Sequence, residues 1–341
     1  MEIGTLIKEL ERQKETSLDL IVDSRSLKAA PDGEHVVELE IPDHGRFPLT
    51  AWAHLQMAEK LEIPKRYYDR MITAGKAELL ADNINAWLGE RDRRLVRVLD
   101  RQIRAILSDR YRIMDNYDLL YLSMEEFRKK ETVEIYKAEV TKTMLYLKAI
   151  DRTLTAEITR GDIIYGGLII RNSEVGASAF RVETFILRKI CSNGLIGEHS
   201  LKKVHLGHQT LEIGEIDWSD ETRELEDKAL WAKARDIIRL TFDNSIFSSW
   251  VKKMRESTEI TIEKPTKAVN NVARLASLSE EQRDDLLAYF SEHTKYGLVN
   301  AVTSLARETK NVDEQIRLEG FGGKLLNTPD KEFEQMVVQE G

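Results

Sequence analysis

Between residues 132 and 215 the chain is dense in Val, Ile, Thr and Tyr, and it alternates in character along runs such as Thr143-Met144-Leu145-Tyr146-Leu147 and Ile163-Ile164-Tyr165-Gly166-Gly167-Leu168-Ile169-Ile170. β-branched and aromatic side chains fit a pleated surface, and a period of two places successive residues on opposite faces. The stretch therefore predicts long strands in an antiparallel sheet. One segment inside it reads differently. From Arg181 to Ile190, the positions Phe180, Thr184, Leu187 and Cys191 recur at three and four, which suits a helix stopped by Asn193-Gly194. Asn172–Ser178 is expected to be a polar loop around Gly176, and Val204–Ile213 resumes strand alternation.

The flanks are more helical. A short helix and then strands are expected over residues 1–50, with Val36–Ile41 ending at the turn cluster Pro42-Asp43-His44-Gly45. Thr50 is positioned to cap a helix carrying Leu55, Ala58 and Leu61, Pro64 opens a second, and Lys76–Leu88 makes a third. Leu95–Leu99 and Ile103–Leu107 predict a hairpin closed at Asp100-Arg101-Gln102, followed by a helix from Tyr117 to Lys130. After Asp217 acidic residues crowd the chain, and Ser219 or Asp220 is placed to cap a long helix to about Arg239. Further helices are expected over 243–255, 267–276, 280–293 and 296–309. The sum is an α+β fold: an antiparallel β-sheet core with flanking helices in residues 1–216, and a helical C-terminal region in 217–341.

Composition bounds the function. The 341 residues are 42% hydrophobic and 32% charged, too apolar for a disordered chain and long enough for two cores. A single cysteine, Cys191, excludes a disulfide within the chain and fits the reducing cytoplasm. The N-terminus lacks a basic start with an apolar block, the C-terminus lacks a lipidation signal, and no apolar run approaches the roughly 20 residues that span a bilayer. The net charge of −8 argues against a nonspecific nucleic-acid coat and leaves the placement of the basic residues to decide.

That placement is uneven. Arg91, Arg93, Arg94, Arg97, Arg101, Arg104, Arg110 and Arg112 fall in one window, opposed there by Asp92, Asp100 and Asp109. A guanidinium is a planar fork that grips phosphate oxygens in pairs, and arginines on a hairpin project together toward one face. Such a face would track a sugar–phosphate backbone, with Tyr111 as a stacking platform. The same arginines are equally suited to pair with the three aspartates on a solvated surface. A second basic group, Arg188, Lys189, Lys202 and Lys203, is expected to form the opposite wall, with Phe185 a further stacker; ordinary solvated charges on a half-buried helix would look the same.

Signatures for chemistry are incomplete. Cys191, His199, His205 and His208 lack the tight pairing of zinc ligands, so no metal is expected. Cys191 at an apolar helical spacing reads as core rather than nucleophile. Asp109 with Asp115, or Glu139 with Asp151 and Glu157, would need to converge to hold catalytic ions. Gly166-Gly167 and Gly320-Phe321-Gly322-Gly323-Lys324 do not match a phosphate-binding loop, and the second reads as a helix stop and turn. No cofactor is expected.

Several stretches together resemble a known family. Arg104-Ala105-Ile106-Leu107-Ser108-Asp109-Arg110-Tyr111 followed by Asp115-Asn116 resembles the signature of the phage- and plasmid-encoded proteins grouped as domain of unknown function 932. Leu61-Glu62-Ile63-Pro64 with Tyr67, Asn85-Ala86-Trp87-Leu88, Arg188-Lys189-Ile190-Cys191-Ser192-Asn193-Gly194-Leu195 and Asn300-Ala301-Val302-Thr303 fit the same pattern, over about residues 50 to 325. The resemblance implies a mobile-element protein with a β-sheet core and flanking helices, and implies no reaction.

The expectation drawn from these features is a non-enzymatic nucleic-acid-binding protein of phage replication or recombination. It would bind single-stranded DNA through Arg97, Arg101, Arg104, Arg110, Tyr111 and Arg112, with Arg188, Lys189, Lys202 and Lys203 opposite, as an oligomer that promotes strand annealing. Two rivals stand beside it. One is an interaction factor that modulates a host defence or host enzyme through its acidic C-terminal helices. The other is a metal-dependent nuclease.

Overall fold

The structure is a computed structural model that describes residues 2–89, 93–189, 192–197 and 220–338. It opens with α1 (Ile3–Thr16), β1 (Ser17–Asp23), β2 (Lys28–Asp32), β3 (Val36–Ile41) and β4 (Gly45–Pro48). Three helices follow, α2 (Ala51–Lys60), α3 (Lys65–Thr73) and α4 (Ala77–Trp87), then the hairpin β5 (Arg93–Leu99) and β6 (Gln102–Ser108) and helix α5 (Asn116–Arg128). Next come β7 (Val133–Val140), β8 (Leu145–Glu157), β9 (Ile163–Asn172), β10 (Arg181–Arg188) and β11 (Asn193–Ile196). The helical remainder is α6 (Asp220–Thr241), α7 (Asn244–Thr258), α8 (Pro265–Leu275), α9 (Glu280–Tyr289), α10 (Lys295–Glu308), α11 (Val312–Asn327) and α12 (Asp330–Val338). The class is α+β with antiparallel sheets and a helical C-terminal region, as the alternation implies.

Local chemistry explains the boundaries. The Thr50 side chain accepts from the Ala53 N–H and starts α2, and Ser279 with Gln282 forms a reciprocal capping box at α9. The β5–β6 hairpin turns through Asp100 and Arg101, both with positive φ (50° and 60°), a two-residue turn whose twist matches the strands. The strain of two non-glycine residues there is offset at Asp100, whose carboxylate accepts from the Thr16 hydroxyl at 2.8 Å and pairs with Arg12.

Two cores result. A five-stranded sheet, ordered β11-β10-β9-β8-β7, packs Leu145, Leu147, Leu168, Ile170, Val182 and Ile186 into one large cluster with α1, α5 and the helices after residue 220. A second cluster lies among the three-stranded sheets β1-β5-β6 and β2-β3-β4 and helices α2–α4, around Val37, Leu39, Met57, Tyr68, Leu80, Val96 and Ile103. Among the described residues no helix is long and apolar enough to cross a membrane.

Two local expectations are corrected. Arg181–Arg188 is a strand, paired with β9 from Arg181↔Arg171 to Arg188↔Ile164 and with β11. Val182 and Ile186 face one core while Phe185 and Leu187 face another. A segment buried on both sides carries apolar residues at every offset, so periods of three and four are present by accident. Gly320–Lys324 lies inside α11 and stops nothing. A Cβ on Gly323 would sit 1.8 Å from the Ile196 carbonyl oxygen, so the glycine is what lets α11 lie directly on β11. The expected strand over Val204–Ile213 and the expected change of domain near Asp217 fall outside the described residues.

Candidate nucleic-acid interface

The arginine hairpin folds as expected, but Arg97 and Arg104 turn inward. Arg97 is 1% exposed. Its Nε and Nη2 donate to the two Asp19 oxygens, each at 2.9 Å, Nη2 also reaches Asp115 Oδ1 at 2.7 Å, and Nη1 donates to the Glu174 carbonyl at 3.0 Å. Burial alone would lower the Arg97 pKa, but Asp19 and Asp115 outweigh it and hold the pKa above its ordinary value. Arg104 is 8% exposed and its Nη1 donates to Glu174 Oε2 at 2.5 Å. The other Glu174 oxygen accepts from the Asn116 N–H at 2.6 Å, at the start of α5. Arg97 and Arg104 therefore bind the hairpin to the β9–β10 connection and to α5, and neither is free to meet a polymer. The carboxylates that neutralise them come from 70 or more residues away in sequence for Asp19 and Glu174, which is why the window around the hairpin looked so basic.

The rest of the window divides. Arg112 pairs with Glu226 and Asp227 on α6, and Arg93 lies 3.9 Å from Asp109. Arg101 and Arg110 are exposed. Tyr111 is no stacking platform: its hydroxyl donates to the Ser173 carbonyl at 2.8 Å, burial raises its pKa, and its ring packs against Leu95, Ala105 and Leu107. Phe185 is fully buried, stacked on Tyr136 at 6.0 Å. Arg188 donates from Nε to Asp162 Oδ1 at 2.6 Å, beside the Tyr296 hydroxyl that donates to the other Asp162 oxygen. Arg188 ends a strand and is not on a half-buried helix, and Lys189 is exposed just beyond it. Arg91, Cys191, His199, Lys202, Lys203, His205 and His208 lie outside the described residues.

The paired acids do not converge. Asp151 is fully buried, and burial, which would raise its pKa, is overcome by Lys130 at 2.8 Å and by Thr153, so the carboxyl is lowered to about 2. Asp115 belongs to Arg97. Among the described residues no three His, Cys, Asp or Glu side chains are placed to share an ion.

A different basic surface emerges on α3. Arg66, Tyr67 and Arg70, with Pro64, line an open cleft. All three side chains are exposed, Tyr67 by 44%, and among the described residues neither arginine is ion-paired. Arg66 and Arg70 are four apart and Tyr67 and Arg70 three apart, so the helix sets them side by side. The inner face of α3 carries Tyr68 and Met71 into the core, which leaves Tyr67 one position off the buried stripe. That offset was the available signal: a tyrosine on the charged side of an amphipathic helix has no core to fill.

No protein-family model, curated protein or solved structure matches the chain.

Proposed function

We propose that the chain is a non-enzymatic protein of a phage or other mobile element, and that it binds single-stranded nucleic acid in the α3 cleft. The observation that carries this reading is Tyr67 standing exposed between Arg66 and Arg70. A phenol ring gives an unpaired base a surface to stack on, and two guanidiniums are spaced to take the flanking phosphates. Exposed Arg101 at the hairpin turn and exposed Arg110 just beyond β6 add positive charge, while Arg97 and Arg104 serve the fold. Fluorescence anisotropy with short single-stranded DNA across a salt series tests the idea. Arg66→Ala with Arg70→Ala should flatten the log–log salt slope by about 1.4, at roughly 0.7 per phosphate contact. Tyr67→Ala should weaken binding by about 1–3 kcal/mol. Binding that ignores salt, or is absent, overturns the reading.

A second reading is an interaction factor acting on a host protein. It is favoured by the inward pairing of Arg97, Arg104 and Arg112 and by the surface of α9, where Glu280, Glu281, Asp284 and Asp285 are exposed beside Leu287 and Tyr289. Capture of one stoichiometric host protein by the chain, lost on Leu287→Lys, with no DNA binding, would select it.

A further inference from the structure

β1 is the edge of the sheet β1-β5-β6, and it is an edge of an unusual kind. Its seven residues, Ser-Leu-Asp-Leu-Ile-Val-Asp, pair with β5 from Ser17↔Leu99 to Asp23↔Arg93 without a register shift. Natural edges are blunted by lysine, proline, bulges or covering loops, because a row of open N–H and C=O groups recruits another strand. This one has no lysine, no proline and no bulge against its partner. Leu18 is 38% exposed and Ile21 50%, with Leu20 and Val22 half-buried beside them. The far edge of the sheet is treated otherwise: Leu49 bridges to Ile103 on β6 and the Ile103 carbonyl accepts from the Thr50 N–H.

The charge on the strand is already spent. Asp19 is held by Arg97 and Asp23 by Arg25, so the edge does not carry the repulsion expected of a chain with net charge −8. It is also self-complementary. A two-fold axis through Leu20 in an antiparallel pair sets Leu18 against Val22, Leu20 against Leu20 and Val22 against Leu18. All three rows lie on the face that carries Val96 and Val98. An anionic polymer has nothing to bind on this strand, whereas an identical strand fills its hydrogen bonds and covers Leu18, Leu20 and Val22 together, with Ile21 against Asp19 on the other face.

We propose that β1 is a dimer interface, where a second copy of the chain adds its own β1 antiparallel and joins two three-stranded sheets into one of six strands. A seven-residue edge is a small interface, so association is concentration-dependent. Sedimentation equilibrium of the full chain over a concentration series should show masses rising from 39.3 kDa toward twice that value. Leu18→Lys, which sets an ammonium against Val22 of the second copy on both sides of the axis, should hold the mass at one chain while circular dichroism and Tm stay those of the unsubstituted protein. Leu20→Cys in a Cys191→Ser background should be joined to a second copy by a short bis-maleimide, and a cysteine introduced at exposed Glu281 should not. This second measurement stands even where the lysine variant fails to fold. A chain that stays single at its highest soluble concentration, a lysine variant that still dimerises, or a Leu20→Cys variant that is not joined overturns the proposal.

Discussion

The Asp19 carboxylate takes both Nε and Nη2 of Arg97 at 2.9 Å, so the most buried arginine of the hairpin is paired with a residue on the neighbouring strand β1, 78 positions earlier. This pair, with Asp115 and Glu174, lies where the small sheet meets α5 and the β9–β10 connection. It converts what the sequence presents as a basic cluster into an internal ionic tie. A guanidinium removed from water must have its donors satisfied, and here four donor contacts are made.

Arg97→Ala should therefore cost stability, not binding. Leaving Asp19 and Asp115 without their cation is expected to lower the unfolding free energy by about 3–5 kcal/mol. Arg101→Ala, at an exposed turn, should change it by about 0.5 kcal/mol or less. Urea unfolding of the two variants checks the contrast, and equal effects would mean that the hairpin arginines are energetically alike.

The Lys148 ammonium and the Glu319 carboxylate form a second buried tie, at 2.7 and 2.6 Å with each side chain 3% exposed, and it pins α11 to the five-stranded sheet. Burial pulls the Lys148 pKa down, against the pull of Glu319 upward. Lys148→Met alone should destabilise by about 3–5 kcal/mol, because Glu319 is left buried without a cation, with only the Gln315 amide at 3.2 Å. Adding Glu319→Leu should return most of that loss, since an apolar pair of similar volume removes both desolvation costs. Chemical denaturation of the single and double variants decides it; additive losses would show that the pair is not coupled.

How much of this was legible follows from the range of each interaction. The strands β7–β9, the hairpin, the Thr50 cap and the helices α6 to α10 are written in periods of two and three to four and in local caps, and the chain folds that way; α11 and α12 are missed, because glycines at 320, 322 and 323 read as a stop. Arg181–Arg188 misreads because burial on both faces erases periodicity. The arginine site misreads for another reason. Its neutralising partners, Asp19, Asp115 and Glu174, lie on three other segments, and a window of sequence cannot see a partner that tertiary structure brings. Tyr67 was legible as a helix residue, and its place one position off the Tyr68–Met71 stripe was the signal of its exposure.

Gly323→Ala should be among the costliest single-atom additions in the chain. The new Cβ would meet backbone, the Ile196 carbonyl at 1.8 Å, and backbone cannot rotate away as a flexible side chain can. Helix propensity would favour alanine by about 1 kcal/mol, so the clash exceeds any net loss by about that amount. An expected loss of about 1–3 kcal/mol, with Tm falling accordingly, follows from forced separation of α11 and β11. Gly320→Ala, on the same helix with open space around it, should instead be neutral or stabilising.

His54 gives the fold a defined acid sensitivity. Its ring lies 2.8 Å from the Tyr68 hydroxyl, within the smaller core. Burial, reinforced by nearby Lys65 and opposed by Asp69, lowers its pKa from 6.5 to about 4. The folded protein thus keeps His54 neutral at a pH where the unfolded chain already binds a proton. The contribution is complete above pH 6.5 and is lost as pH falls from 6.5 toward 4, where it levels off. With partial solvent screening the loss is on the order of 2 kcal/mol, below the roughly 3.4 kcal/mol that the full shift would give at about 1.36 kcal/mol per pH unit. Carboxylates such as Asp151, lowered to about 2, begin to lose their own contribution only as pH drops below about 4. Comparing Tm from pH 7 to pH 4.5 in the unsubstituted chain and in His54→Gln separates the two effects. The substituted protein should lose less stability over that interval, and parallel curves would show that His54 does not carry the sensitivity.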